Sequence, residues 1–310
     1  MDILQETNFE FLGKRTKGKV RDIYDLGERL ALISTDRHSS FDRIIAHIPH
    51  KGQVLNQTSL WWFEHTRDIV LNHVLESPDP NVTLAKKCTM VPVEAVMRGY
   101  LTGVTDTSIW TRYQAGERVF GGVELQNGMQ KNTKLPGPIF DPTTKEAEHD
   151  RAITPEQMIA EGFITQELFN QVREVAVSLF TRGQELAAKR GLILVDTKYE
   201  FGLDENNNLV LIDEIHTPDS SRWWKFNSYE ERIREGKEPE YFDKEFLRMW
   251  FKEHSDPYKD ANLPEAPAEL VAEMSRRYIE MYEQITGEKF VPGDEPILER
   301  LEKNLKRYAA

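Results

Sequence analysis

Apolar positions along the chain recur with two periods, and the change from one to the other marks out the elements. Near the N-terminus the period is two. Phe9-Glu10-Phe11-Leu12 leads into the stretch Gly13-Lys14-Arg15-Thr16-Lys17-Gly18-Lys19, and residues 20–26 leave it with strand alternation. A third strand, 30–34, follows the turn at Gly27-Glu28. Residues 53–65 read as a helix with Val54, Leu55, Leu60, Trp61 and Trp62 as core, and the apolar run 88–98 reads as a strand linking two lobes. Residues 121–148 have little apolar periodicity and read as a long loop, either one in which Thr143-Thr144-Lys145 and Glu148-His149-Asp150 are able to close over a nucleotide or a disordered excursion. Thr154-Pro155 opens a helix, and a longer one spans 166–190 with Leu168, Val172, Val175, Leu179, Leu186 and Ala187 on one stripe and Gly191 as its stop. It feeds a hairpin, 192–203 and 209–212, closed by the turn residues Asp204-Glu205-Asn206-Asn207-Asn208. Helical periods return at 244–254, 268–286 and 296–308, where Trp250, Phe251, Tyr278 and Tyr282 read as core. The expected fold class is α+β in two lobes. Residues 1–94 form a small antiparallel-sheet lobe, and 95–310 a larger lobe with the hairpin and the C-terminal helices.

Composition narrows the partners. A length of 310 residues accommodates two cores, and 39% hydrophobic with 30% charged residues suits a soluble globular chain. The net charge of -12 argues against nucleic acid or an anionic membrane surface as partner, so local basic patches stand out. One cysteine, Cys88, excludes an intramolecular disulfide and favours a reducing, cytoplasmic setting. The N-terminal residues lack a signal-peptide pattern, and no stretch is apolar enough to span a bilayer.

The hairpin carries the densest candidate chemistry. Side chains two apart share a face, so Asp196, Lys198 and Glu200 line one side of the first strand. If 205–208 form a four-residue loop, Asp213 stands opposite Glu200. Two facing carboxylates repel unless positive charge lies between them. Lys198 supplies part of it, and a divalent cation suits the rest, because one or two carboxylates are the usual protein share of a Mg²⁺ site that also holds nucleotide phosphates. A solvated sheet face with ordinary ion pairs meets the same pattern. After the hairpin, Thr217-Pro218-Asp219-Ser220-Ser221-Arg222 combines hydroxyls and a guanidinium in a Pro-led turn suited to an anion. Five basic residues lie within 14–21. Gly13-x4-Gly18-Lys19 fits most of a Walker pattern, but Val20 replaces its Ser or Thr and a strand follows instead of a helix. What survives is a glycine loop between antiparallel strands, as over ATP in kinase-like lobes, or a basic surface hairpin. Asp36, Arg37 and Ser39 form a polar cluster able to hold a zwitterion or to cap a turn. Glu94 and Arg98 interrupt an apolar strand and require partners, as an internal ion pair or as ligand groups.

Taken in order, these segments resemble one family. Gly18-Lys19-Val20-Arg21-Asp22-Ile23-Tyr24, Thr35-Asp36-Arg37 with Phe41-Asp42, Lys51-Gly52, and Pro92-Val93-Glu94 with Arg98-Gly99-Tyr100-Leu101-Thr102-Gly103 carry the likeness. So do the stretch 194–202, Asp213-Glu214 and Arg222-Trp223. Over about residues 9–286 the chain resembles the phosphoribosylaminoimidazole-succinocarboxamide synthases, the SAICAR synthetases of purine biosynthesis. The resemblance implies an ATP-dependent ligase with Mg²⁺ that phosphorylates the carboxylate of the imidazole ribotide CAIR and joins L-aspartate to it, giving SAICAR, ADP and phosphate. A monomer or small homo-oligomer is expected, the sequence itself not disclosing which. Gly18, Lys19, Arg21, Lys87, Met90, Glu94 and Lys145 would serve ATP, and Glu200 and Asp213 the metal, with Lys198 beside the transferring phosphoryl group. Asp36, Arg37, Ser39, Arg98, Asp196, Ser220 and Arg222 would serve the other substrates. A small-molecule kinase and a nucleotide-binding regulator without turnover are the rivals. Two departures stand out. Val104 replaces a family Ser before a local insertion at Thr105-Asp106-Thr107-Ser108, so that hydroxyl comes from Thr105 or is lost, and the segment beyond Pro292 has no assigned role.

Overall fold

The computed structural model describes residues 2–41, 43–105, 107–145, 155–241 and 245–309. They form two compact units, one of 1–64, 73–87 and 242–310, the other of 65–72 and 88–241. Among the described residues no helix is long and apolar enough to cross a membrane.

The first unit is built on a five-stranded antiparallel sheet in the spatial order Arg15–Lys17, Arg21–Asp25, Arg29–Ser34, Val82–Lys86, Val74–Asp79. The expected glycine loop is shorter than its composition suggested. Arg15–Lys17 is itself a strand, Lys17 pairs with Asp22, and the Gly18 N–H donates to the Arg21 carbonyl at 2.8 Å. Only Lys19 and Val20 turn the corner. Residues 9–12, expected as a strand, instead wind into a 3-10 turn, Glu10–Leu12, that buries Leu12. The Phe9 N–H there donates to the Tyr24 hydroxyl at 3.0 Å.

Two residues expected at a ligand are part of this frame. Arg37 is 1% exposed. Its guanidinium donates to the carbonyls of Lys19 (3.2 Å), Gln5 (2.8 Å) and Gly18 (3.1 Å) and to Asp22 Oδ1 (2.8 Å). A buried guanidinium is tolerable because its N–H groups find acceptors this way. Asp36 accepts the Leu4 N–H at 2.8 Å and the Gly52 N–H at 2.9 Å, joining the N-terminal segment to the start of the helix Lys51–His65. Burial pushes its pKa up to about 6, against the pull of those two N–H groups and of Lys51. In this structure both are clamps, and the polar cluster around them is chiefly architecture. Ser39 stays half-buried on the short strand Arg37–Ser40, and Asp42 lies outside the described residues.

The C-terminal helices belong to this unit, not to the lobe with the hairpin where sequence order placed them. Ile297, Leu301 and Leu305 line one stripe of the helix Ile297–Leu305 and close a core with Leu4, Leu12, Tyr24, Ile33 and Leu84. Arg300 and Asn304 on the same helix donate to the buried Asp79 at 2.9 and 2.8 Å. A second core joins Phe41, Ile45, Val54 and Leu55 to Leu247, Phe251, Met274 and Tyr278 of the helices Glu245–His254 and Ala268–Thr286. An apolar stripe packs where a matching face is open, whatever its place in the chain.

The second unit centres on two twelve-residue antiparallel strands, Thr89–Tyr100 and Leu192–Leu203. The helix Gln166–Lys189, capped by the Thr165 hydroxyl, buries Phe169, Val172, Ala176, Leu179 and Phe180. Gly191, just past its C-terminus, adopts φ +70°, the left-handed position that glycine enters at little cost. Much of the expected long loop is ordered. Lys134–Phe140 and Thr143–Thr144 both pair with Thr89–Tyr100, the former as an edge strand. Pro136 and Pro138 hide this strand from a periodicity reading, and an edge position with a register shift between Lys134 and Ile139 accommodates them. Glu148, His149 and Asp150 lie outside the described residues.

Two outcomes test this frame. Leu301→Ala, removing a side chain with 0% exposure, should cost about 2–5 kcal/mol of unfolding free energy in urea melts. Asp36, with its folded pKa raised from 3.8 to about 6, contributes stability that is full below pH 3.8 and is lost as pH rises through 6. Unfolding free energy of the wild type should therefore fall between those pH values by on the order of 3 kcal/mol more than that of Asp36→Asn. Parallel pH curves for the two proteins would refute the assignment.

Candidate functional site

The second unit gathers its charges along Leu192–Leu203 because residues directly opposite on paired strands share a face. Asp196, Lys198 and Glu200 alternate with the buried Thr197, Tyr199 and Phe201, as the strand period predicts. Opposite them on Thr89–Tyr100 stand Arg98 (facing Asp196), Val96 (facing Lys198) and Glu94 (facing Glu200). On the other edge, Arg222 of the strand Ser221–Lys225 faces Asp196 and makes an ion pair with it. One end of the face is therefore a row Arg98, Asp196, Arg222, and the other a pair of carboxylates.

The carboxylate directly across from Glu200 is Glu94, not Asp213. The hairpin loop holds five residues, since Leu203 pairs with Leu209, and this places Ile212 opposite Glu200. Asp204 accounts for the extra residue: its Oδ1 accepts the N–H groups of Asn206 and Asn208, both at 2.9 Å, while Asn207 turns left-handed at φ 62°. Asp213 reaches the site by another route. The chain leaves the ladder after Ile212 and returns at Ser221 opposite Thr197, so residues 213–220 form an excursion along the edge beside Lys198 and Tyr199. Asp213 starts it at φ 67°, and its charge helps raise the pKa of Glu200.

Cations answer these acids. Lys198 Nζ lies 2.6 Å from Glu94 and 3.7 Å from Glu200, and Lys145 donates to the other oxygen of Glu200. Burial is the largest influence on both central groups. It raises the pKa of Glu200, Asp213 adds to that, and Lys145 and Lys198 work against it. Burial works against the charge of Lys198, but Glu94, Glu200 and Asp213 outweigh it and hold its pKa above the ordinary lysine value. Two carboxylates that repel each other at a partly dry surface suit a divalent cation shared with phosphate oxygens. Among the described residues there is no cluster of three or more His, Cys, Asp or Glu that would cage a metal alone. The donor set therefore fits Mg²⁺ that brings most of its ligands with it.

On the reverse face the excursion is anchored where the sequence offered no cue. The Tyr199 hydroxyl bonds His216 Nε2, and His216, fully buried, has its pKa pushed down to about 3 by burial, so it stays neutral. Gly183 lets it fit, because a Cβ there would meet His216 Cε1 at 2.4 Å. On the excursion itself, Thr217 Oγ1 donates to Glu214 and accepts the N–H groups of Asp219 and Ser220 at 3.2 and 3.1 Å. Ser220 Oγ accepts the Thr217 N–H at 3.1 Å, which fixes the half-buried Ser220 beside Arg222 in sequence.

Glu94 and Arg98 are not each other's partners. Glu94 pairs with Lys198, and Arg98 Nε donates to Asp141 at 2.6 Å. Ser108 lies against Gly103: a Cβ on Gly103 would stand 2.3 Å from that of Ser108. Thr105, the expected substitute, is exposed, and its carbonyl accepts the Ser108 hydroxyl at 2.7 Å. Met90 is 50% exposed at the start of its strand.

In the first unit Gly18, Lys19 and Arg21 sit together at the two-residue turn, with Lys19 exposed and the carbonyls of Gly18 and Lys19 held by Arg37. Thr35 holds the Val20 carbonyl through its N–H (2.9 Å) and its hydroxyl (2.8 Å). Lys87 pairs with the exposed Asp25 at 2.6 Å. A cleft of about 1100 Å³ in this unit, lined by Ile44, Ile45, Val271 and Ile279 among others, contains none of the candidate residues. Its apolar lining does not suit the anionic chemistry of the charged face.

Comparison with known proteins bears on this arrangement. The family model described as SAICAR synthetase matches residues 14–264. A phosphoribosylaminoimidazole-succinocarboxamide synthase of Legionella pneumophila (strain Paris) is 55% identical over 309 residues, covering 98% of each chain. The chloroplastic enzyme of that name from Arabidopsis thaliana is 56% identical over 307 residues, 97% of this chain and 75% of its own length. Among solved structures, a SAICAR synthase from Saccharomyces cerevisiae complexed with SAICAR superposes with TM-score 0.81 at 31% identity, covering 93% of this chain and 100% of that one. A type-2 SAICAR synthetase in complex with ADP gives TM-score 0.69 at 25% identity, covering 90% and 100%. A match that begins before the glycine turn and runs past the whole charged face leaves one conclusion, that this chain belongs to the SAICAR synthetase family.

Proposed function

We propose that this chain joins L-aspartate to the carboxylate of CAIR, converting ATP to ADP and phosphate and releasing SAICAR. One observation carries the reading: a single sheet face holds an acid-and-lysine group, Glu94, Lys198, Glu200 and Lys145, next to the row Arg98, Asp196, Arg222. The first group suits a transferring phosphoryl group, and the second an anionic acceptor that also offers N–H donors. In the reaction the CAIR carboxylate takes the γ-phosphoryl group and ADP leaves. The aspartate amine then attacks the acyl carbon, phosphate leaves with the C–O bond, and the nitrogen loses its proton.

The residues divide this work. Lys198 and Lys145 offset negative charge gathering on the phosphoryl oxygens, at a surface dry enough to strengthen the effect. Arg98 and Arg222 bind the anionic groups of the ribotide, and Asp196 between them accepts its N–H donors. Glu200 and Asp213 would hold Mg²⁺, which when bound supplies charge neutralisation at the phosphate oxygens. The Gly18 turn, with Lys19 and Arg21, serves the nucleotide phosphates, and the stretch from Lys87 through Met90 to Glu94 its base. The internal bonds of Asp36 and Arg37 support a positioning task for them rather than direct contact, with L-aspartate held by other groups. A monomer or small homo-oligomer working in the cytoplasm accords with the acidic surface and lone cysteine.

Phosphate release from MgATP should require both CAIR and L-aspartate, each omitted in turn. Sustained turnover without L-aspartate would replace the ligase by a kinase. Asp213→Asn should lower kcat by roughly 100-fold or more while circular dichroism and melting temperature stay near wild type. Wild-type activity in that variant would return the acid pair to an ordinary sheet surface.

A further inference from the structure

Arg98 is held in place by groups that the reaction as described does not use. Its Nε donates to Asp141 Oδ2 at 2.6 Å and its Nη2 to the Thr107 carbonyl at 3.1 Å. Asp141 follows the edge strand Lys134–Phe140 directly and is 5% exposed. The same carboxylate is gripped from the far side by Arg112 of the helix Ile109–Gln114, whose Nη1 lies 3.0 and 2.8 Å from its two oxygens. Arg112 is fixed in turn by Glu117, which accepts from its Nε at 2.9 Å and its Nη2 at 2.5 Å, and its guanidinium lies 4.9 Å from the Phe120 ring centre. Charges alternate along the series Arg98, Asp141, Arg112, Glu117.

A carboxylate shared by two guanidiniums cannot turn to embrace either one. Asp141 alone would be free to rotate and take Arg98 in a two-pronged pair, consuming the hydrogens that an incoming anion needs. With Arg112 across both of its oxygens, Asp141 contacts Arg98 only at Nε. Among the described residues, the Nη1 hydrogens of Arg98 remain uncommitted. The Thr107 carbonyl, within the insertion, stops rotation about the other arm.

We propose that Arg112 is a positioning residue for the acceptor substrate: acting through Asp141, it fixes the Arg98 guanidinium in the orientation that binds the anionic ribotide. This rests on the SAICAR synthetase reading given above. Among the described residues Arg112 and Asp141 pair with Arg98 and Glu117, apart from the ion pairs of Lys145, Lys198, Glu94 and Glu200, so the effect is expected on the ribotide. Thr107, within the insertion, thereby acquires a role, as a support of Arg98 through its carbonyl.

The test compares KM for CAIR, MgATP and L-aspartate in wild type, Arg112→Met and Arg112→Lys, together with calorimetric binding of CAIR without nucleotide. Arg112→Met should raise both KM and Kd for CAIR about 10-fold, leaving kcat and the KM for MgATP within about twofold. Arg112→Lys keeps the charge but loses the fork, and should fall between, at about threefold. Absence of turnover by the wild type would defeat the underlying reading. Wild-type turnover with unchanged CAIR constants in the variants would overturn the role of Arg112 alone. A uniform rise in all three KM values with a lowered melting temperature would overturn it too, by making Arg112 merely structural. Should Arg112→Met fail to fold, Arg112→Lys decides by the same split.

Discussion

Glu94 and Glu200 stand directly opposite one another on paired strands, 6% and 9% exposed, a placement that is unfavourable in any sheet unless cations come to it. Much of the second unit follows from that confrontation. Lys198 lies between the two acids on the same face, Lys145 reaches Glu200 just after the short strand Thr143–Thr144, and the two long strands keep the register that brings the acids together. The excursion 213–220 then adds a further acid, Asp213, whose charge joins burial in raising the pKa of Glu200 against the pull of Lys145 and Lys198. Such a site is poised for a doubly charged cation and a phosphate chain.

The two units use buried arginine in opposite ways. Arg37 is surrounded by carbonyls and Asp22 and works as a strut under the glycine turn, holding its peptide oxygens inward. Arg98 is nearly as buried, at 8% exposure, yet among the described residues its Nη1 hydrogens stay in reserve, because Asp141 is divided between it and Arg112. Burial alone therefore does not distinguish a structural guanidinium from a binding one. The count of satisfied donors does.

Periodicity made the strand Leu192–Leu203 and its charged face readable, since alternation is a local property of the chain. It could not show Glu94 across from Glu200, because register between strands about a hundred residues apart is set by packing rather than by spacing. The hairpin loop was misjudged by one residue because Asp204 folds its carboxylate over the following N–H groups, a contact that composition hints at but does not count. Pro136 and Pro138 concealed an edge strand, and Asp36 and Arg37 looked like ligand groups because a buried polar frame and a binding site use the same residue types. Family resemblance supplied what periodicity lacked, namely separate tasks for residues scattered from Gly18 to Arg222. It offered nothing for Arg112, His216 or Gly183, whose importance comes from what they press against.

The helix Ile297–Leu305 has a consequence for the order in which the chain can be completed. The strands it covers end at Lys86, yet Leu301 and Leu305 close the core beneath them. During synthesis at about 5–20 residues per second the strands of the first sheet leave the ribosome long before their covering helix exists. For that interval the sheet shows an apolar face to the cell, because the residues that shield it are made more than two hundred positions later. A nascent chain of this protein therefore leaves that core open until residues 297–305 have been made, and a deletion that removes them uncovers Leu4, Leu12, Tyr24 and Leu84.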